Sequence, residues 1–294
     1  MDVEVLILGS GYSGVNVYYN IRKKGKLIIS DSNEFKFYTS LWRNNLDTID
    51  KIYLDFVKTD SIKDIDIKAR CIKSAKLGEI CAENIIIALG CDKSKLIATM
   101  RDILKYNNVS ITVEDPLIEY LGLQFAFYLK RLGKDVKYYG NYLSMLGDKV
   151  SQSVQALMEK YNIRSAERAD IVIPSCEPPQ SLGFLKVNER LELAKGVYAI
   201  GDIIYGWPKL GELAMREGVF LGKGINKGVT KKFNPIFIYI LDTGFGDAIH
   251  IRSDVFWGGT FQSVKRSRIR SFMKRFIEHY YVFRKGNMGF LYYL

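Results

Sequence analysis

Residues 3–14 read VEVLILGSGYSG, an almost wholly apolar run that breaks into a turn with glycine at Gly9, Gly11 and Gly14. The run predicts a buried strand, and the turn has the G-x-G-x-x-G spacing of a phosphate cradle. In such a turn the first glycine makes the tight bend. The second lets backbone approach a pyrophosphate, and the third lets the next helix pack on the strand. The motif alone is weak, so its surroundings decide. Val15 to Lys24 reads as a helix stopped by Gly25, and LIIS at 27–30 is a second strand ending at Asp31 and Ser32. An acid at this distance can accept hydrogen bonds from an adenosine ribose. A plain strand-end turn aspartate is the competing reading of Asp31.

The 294 residues, 48% of them hydrophobic, suffice for two domains or for one domain interrupted by another. No run of about eighteen uncharged apolar residues predicts a membrane span. Asp2 and Glu4 near the start argue against a basic signal peptide. Cys71, Cys81, Cys91 and Cys176 show neither CxxC spacing nor a paired framework, so a reducing cytoplasm is expected. With two histidines, no metal site is expected. The net charge of +11 is concentrated near the end, where residues 261–294 hold eight Lys or Arg against the single acid Glu278. Such a patch suits an anionic polymer or an anionic membrane surface.

Further along, residues 32–80 alternate in short segments, and CAENIIIALG at 81–90 predicts another buried strand closing on Gly90. Residues 104–139 repeat the opening plan, with a strand near 110–113, a helix over 116–132, Gly133, and a strand at 135–139. A buried strand follows at 169–174 (ADIVIP), and GVYAIGD at 196–202 runs into a helix from Lys209 to about Asn226. The pattern predicts an α/β protein with two Rossmann-like units. Near the end, Ile269, Phe272, Met273, Phe276, Ile277, Tyr280 and Phe283 recur at spacings of three and four, flanked by Arg268, Arg270, Lys274 and Arg275. This is the pattern of a helix lying in a membrane interface; a core helix with solvated charges is the alternative. Nucleic acid is not expected, because the apolar stripe is continuous and no recognition motif occurs.

GSGYSG with Asp31, IIIALG at 85–90, and VYAIGD at 197–202 followed by PKLGELAMREG stand in a fixed order. Together they resemble the FAD-dependent pyridine nucleotide-disulfide oxidoreductase superfamily, with Leu89 where the family's middle landmark has threonine. The resemblance implies an FAD domain from residues 1–103 and 199–230, an inserted NAD-like domain at 104–198, and a C-terminal sheet with an amphipathic helix at 231–294. It places FAD at Gly9, Gly11, Gly14, Asp31, Ser32, Gly90, Gly201 and Asp202. Lys209 and Leu210 would open a helix whose positive end favours an anionic reduced flavin. The runs DSNEFKFYTSLWRN at 31–44, FIYILDTGFGDAIHI at 237–251 and SRIRSFMKRFIEHYYVFRKG at 267–286 resemble sulfide:quinone oxidoreductases; the first also resembles type II NADH dehydrogenases.

Two departures qualify that resemblance. In the inserted unit Gly122 keeps the third glycine, but Leu117 and Glu119 stand at the first two, so NAD(P)H in the usual pose is not expected. No cysteine follows Cys176, so a two-cysteine sulfur relay is not expected. Cys91 and Cys176 are the thiols at loop positions, each also readable as an incidental cysteine, whereas Cys71 and Cys81 look like strand residues. The resemblance thus implies an FAD oxidoreductase passing electrons from a small reductant to a membrane quinone, peripheral on the inner, cytoplasmic face of the membrane. Glu212, Met215, Arg216 and Glu217 would lie near the quinone, with Glu217 a candidate proton relay. An NADH dehydrogenase with an altered nicotinamide site and a non-catalytic FAD-binding subunit remain alternatives. The oligomeric state is open, a homo-oligomer included.

Overall fold

The structure is a computed structural model that describes residues 1–38, 46 and 50–293; the run at 31–44 therefore lies partly outside the described residues. Strand Asp2–Leu8 sits between Lys26–Ser30 and Gly78–Ile87, parallel to both, with Val197–Ala199 parallel on the far side. Leu6 pairs with Leu27 and with Ile85. Both faces of this sheet are covered, which is why its strands are continuously apolar. Val5, Ile7, Ile28 and Ile86 join the main core; Leu6, Leu8, Ile85 and Ile87 turn the other way onto Ile72 and Ile80. Each fully buried aliphatic side chain of this kind stabilises the fold by about 1.5–3 kcal/mol.

Helix Tyr12–Asn20 lies against helix Gly211–Ile225 at very close range. A Cβ on Gly218 would stand 2.4 Å from the Ser13 carbonyl oxygen, so a side chain there would push the two helices apart. The beginning and the end of the dinucleotide-type unit are thereby packed as one body.

A second, all-parallel sheet runs in the order Arg164–Ser165, Asp135–Tyr138, Asn108–Val113, Ile171–Ile173. Its helix Glu119–Arg131 is buried nearly all round, because strand Phe237–Asp242 of a third sheet covers its far side. Gln124 joins the two. Its Nε2 donates to the Asp242 carbonyl at 2.6 Å, and its Oε1 accepts from the Asp242 amide and the Tyr239 hydroxyl, both at 3.2 Å. The third sheet is antiparallel, Phe237–Asp242, Ala248–Ser253 and Gln262–Ser267, and carries helix Arg268–Phe283. Beyond that helix, Asn16 accepts from the Met288 amide and donates to the Gly286 carbonyl, clipping the last segment onto the first helix.

Glu192–Ala194 pairs antiparallel with Val197–Ala199 and so lies beside the VYAIGD strand in the first sheet. The cysteines, expected to be unpaired, form two disulfides, Cys71–Cys81 and Cys91–Cys176. Cys71 faces Cys81 across an antiparallel hairpin. Cys91 meets Cys176 because the segments leaving and re-entering the first sheet run side by side, joined by a bridge between Asp92 and Glu177. Neither pairing is visible in spacing, and both remove the ground on which a reducing compartment was expected.

Candidate functional site

Gly9 has φ +102°, and a Cβ there would stand 2.4 Å from the Ala88 carbonyl; a Cβ on Gly14 would stand 2.0 Å from the Gly9 carbonyl. These two glycines are demanded by the chain itself. Gly11 differs: its φ is −77° and an added Cβ meets nothing within 4 Å. Its open side faces a cleft of about 530 Å³ lined by Gly9, Gly11, Asp31, Ser32, Gly90 and Asp202. Helix Tyr12–Asn20 starts here with no side chain capping its first amides, which leaves donors for an anion. Ser10 donates to the Ser32 carbonyl at 3.2 Å and ties the glycine turn to the acidic loop.

Asp202 is the sharpest sign that this cleft holds a ligand. Its Oδ2 pairs with the Lys93 ammonium at 2.7 Å, while its buried Oδ1 has no hydrogen-bond partner among the described residues. A buried acceptor left open is costly, and a ligand hydroxyl would satisfy it. The glycine turn, the uncapped helix and this carboxylate oxygen together fit a dinucleotide with a polyol chain.

Gly201 lies under the same wall and donates its amide to the Glu217 carboxylate. Glu217 is 1% exposed, and burial pushes its carboxyl up to about 8 against the opposing Gly201 hydrogen bond. It lines neither this cleft nor the cavity described next; its place is beneath the turn. Lys209 is also buried. Its ammonium donates to the Ile204 carbonyl, lies over the Phe184 ring, and is depressed to about 8 by desolvation. Leu210 precedes the first turn of helix Gly211–Ile225, again without a side-chain cap.

A second, mainly apolar cavity adjoins the cleft, and the two share Tyr12, Tyr38, Lys93 and Asp202. It runs past Lys209 and Leu210 to Glu212, Arg216 and the inner face of helix Arg268–Phe283. Glu212 accepts from Arg216 Nε at 3.1 Å and from the Tyr281 hydroxyl at 3.0 Å. His250 also borders the cavity. Burial, then the charges of Arg270, Arg252 and Lys265, lower it to about 4, so it is neutral at pH 7.

Helix Arg268–Phe283 is built inside out for a helix in water. Ser271, Lys274, Glu278 and Tyr281 point inward, whereas Ile269, Phe272, Phe276 and Phe283 are 70%, 71%, 51% and 82% exposed. Met273 and Ile277, expected on the same stripe, turn to the cavity wall, and Lys274, expected as a flank, is buried under it. No described helix is long and apolar enough to cross a membrane.

Cys91 lines the cleft, its sulfur 3.7 Å from the Lys93 ammonium, and Cys176 is bonded behind it. The matching turn of the inserted sheet carries Leu117 and Glu119 in place of the first two glycines. Glu119 opens helix Glu119–Arg131, is 2% exposed, and accepts from the backbone amides of Asn141, Tyr142 and Leu143 at 2.7, 2.9 and 2.7 Å. Tyr142 and Leu143 both have positive φ, so the loop curls around the carboxylate. The chain's own anion thus occupies the mouth of the second turn. Gly122 keeps its packing role, since a Cβ there would meet Val113 at 2.6 Å.

The fold is shared with solved oxidoreductases of low sequence identity. Among solved structures, a sulfide:quinone oxidoreductase from the hyperthermophilic bacterium Aquifex aeolicus superposes with a TM-score of 0.75 at 16% identity, covering 97% of this chain and 92% of that one. An NADH:rubredoxin oxidoreductase from Clostridium acetobutylicum gives 0.60 at 18% identity, covering 91% and 86%. Putidaredoxin reductase, in a covalent complex with putidaredoxin, gives 0.60 at 13%, covering 85% and 81%. No protein-family model and no curated protein sequence matches the chain.

Proposed function

We propose that this protein is an FAD-dependent oxidoreductase that passes electrons from a small sulfur reductant to a membrane quinone. The observation that carries the reading is the adjacency of the two cavities. The cleft at the glycine turn shares Tyr12, Tyr38, Lys93 and Asp202 with an apolar cavity, and that cavity is walled by a helix with an exposed aromatic face. Bound FAD would supply a two-electron carrier that accepts and donates a hydride equivalent.

The chain's own residues do the rest. The amides at Gly11–Ser13 and the open side of Gly11 would hold the pyrophosphate, Asp31 the ribose, and Asp202 Oδ1 a hydroxyl of the ribityl chain. The Cys91–Cys176 disulfide, with Lys93 beside it to stabilise a thiolate, favours a thiol or sulfide as donor, because such a reductant can exchange with a disulfide. The Glu119 plug argues against NAD(P)H. Ile269, Phe272, Phe276 and Phe283, beside Arg268, Arg275, Arg284 and Lys285, suit an anionic leaflet, and the apolar cavity behind them suits a quinone head group.

The test is anaerobic. The purified protein should carry or take up FAD, bleach with sulfide or a small thiol, remain oxidised with NADH, and recolour with a short-chain quinone. A colourless protein that cannot be reconstituted with FAD overturns the reading.

A further inference from the structure

We propose that Glu212 is the proton donor to the quinone oxygen, a role that rests on the quinone reading above. Reducing a quinone to a hydroquinone consumes two electrons and two protons. A hydride equivalent accounts for both electrons and one proton. The second proton must come from a donor at the quinone oxygen, which a titratable group on the cavity wall can supply.

Glu212 has the position for it. Helix Gly211–Ile225 borders both spaces, with Ala214 on the dinucleotide cleft and Glu212 on the apolar cavity. Besides Glu212, the charged or titratable groups lining the cavity are Arg216 on its own helix, Lys274, Glu278 and Tyr281 on helix Arg268–Phe283, Tyr12 at the first helix, Tyr239 and His250 on the third sheet, and, toward the cleft, Tyr38, Lys93, Tyr120, Asp202 and Lys209. Arg216 does not deprotonate in proteins. His250, bonded at Nδ1 to Arg270 at 2.9 Å, is neutral at pH 7. Tyr281 is held well above its ordinary range by burial. Glu212 itself is pushed up by burial, against Arg216, Tyr281 and Lys274, which keeps a transferable proton on it above the usual carboxylate range.

The surroundings also fit the product of the transfer. Once the carboxyl proton has gone to the quinone oxygen, the carboxylate left behind keeps Arg216 Nε on one oxygen and the Tyr281 hydroxyl on the other. A water from bulk then reprotonates it. Arg216 leads that way: its Nη1 donates to the Tyr292 carbonyl at 3.0 Å, next to Tyr293, which is 77% exposed.

Three forms of the full-length holoprotein decide the matter: wild type, Glu212→Gln and Glu212→Asp. Each is assayed with sulfide as donor and decylubiquinone as acceptor over a pH series, and the infrared band of a neutral buried carboxylic acid is recorded on the resting protein. Glu212→Gln should lose the Glu212 component of that band, leaving the contribution of the protonated Glu217, lose the alkaline limb of the pH profile, and drop kcat about 100-fold with little change in KM. Glu212→Asp should recover part of the rate. A Glu212→Gln protein with wild-type kcat and pH profile overturns the inference while leaving the quinone reading standing. A wild type that takes FAD but reduces no quinone overturns both.

Discussion

The Lys93 ammonium lies 2.7 Å from Asp202 Oδ2, joining the residue that leaves the IIIALG strand to the one that ends VYAIGD. Both side chains are largely buried, at 15% and 13% exposure, so breaking the pair leaves an uncompensated charge. Lys93→Met should lower stability by about 3 kcal/mol in thermal or denaturant unfolding. Asp202→Ala removes the open acceptor too and should weaken FAD binding by roughly tenfold to a hundredfold in a titration of the apoprotein.

Gly9 and Gly11 separate folding from binding. Gly11→Ala introduces a methyl into open cleft without backbone strain, so the apoprotein should melt as wild type does yet lose most of its FAD affinity. Gly9→Ala meets the Ala88 carbonyl at positive φ and should destabilise the apoprotein by at least about 2 kcal/mol. Equal melting temperatures for the two variants would contradict this account of the turn.

The two disulfides close loops of very different size, with sequence separations of 10 and 85. Loop entropy assigns about 3 kcal/mol to the first and about 4.6 kcal/mol to the second. Replacing Cys91 and Cys176 together by serine should therefore lower the denaturation midpoint more than replacing Cys71 and Cys81, and should also abolish reduction by sulfide.

The outward face of helix Arg268–Phe283 makes few contacts to lose. Changing Phe272, Phe276 and Phe283 together to serine should leave the melting temperature within about 2 °C while removing flotation with anionic liposomes. A variant that still floats would put the membrane contact elsewhere.

Glu217 gives a pH signature. Its carboxyl keeps a proton up to about 8 when folded, against an ordinary 4.5. A raised pKa means that stability is full below the unfolded value and falls as pH rises through the folded one. Glu217→Gln cannot ionise, so its melting temperature should gain on wild type steadily from about pH 5 to about pH 8.

The first sheet was legible because its signals are local: an apolar run, a turn with glycines at fixed spacing, and an acid at the next strand end. Gly9, Gly11, Asp31, Ser32, Gly90 and Asp202 do line one cleft. The disulfides were not legible, since Cys91 and Cys176 meet only after a whole sheet has been built between them. The periodicity of the last helix picked out the exposed Ile269, Phe272, Phe276 and Phe283 but set Met273 and Ile277, which line the cavity, on the same stripe. It could not say that Lys274 and Glu278 would face inward, because that depends on a cavity made by other elements. Glu119 looked like a poor glycine substitute, and its actual partners, the amides of 141–143, lie on another strand's loop.

The bond between Cys91 and Cys176, whose Cα atoms are 5.6 Å apart, makes everything between them a covalently closed ring. A protease that cuts a surface loop inside that ring does not free a fragment: the nicked chain stays one molecule on a non-reducing gel and parts only when thiol is added. For a protein whose proposed substrate is itself a sulfur reductant, the agent that would drive turnover is also the agent that opens the ring.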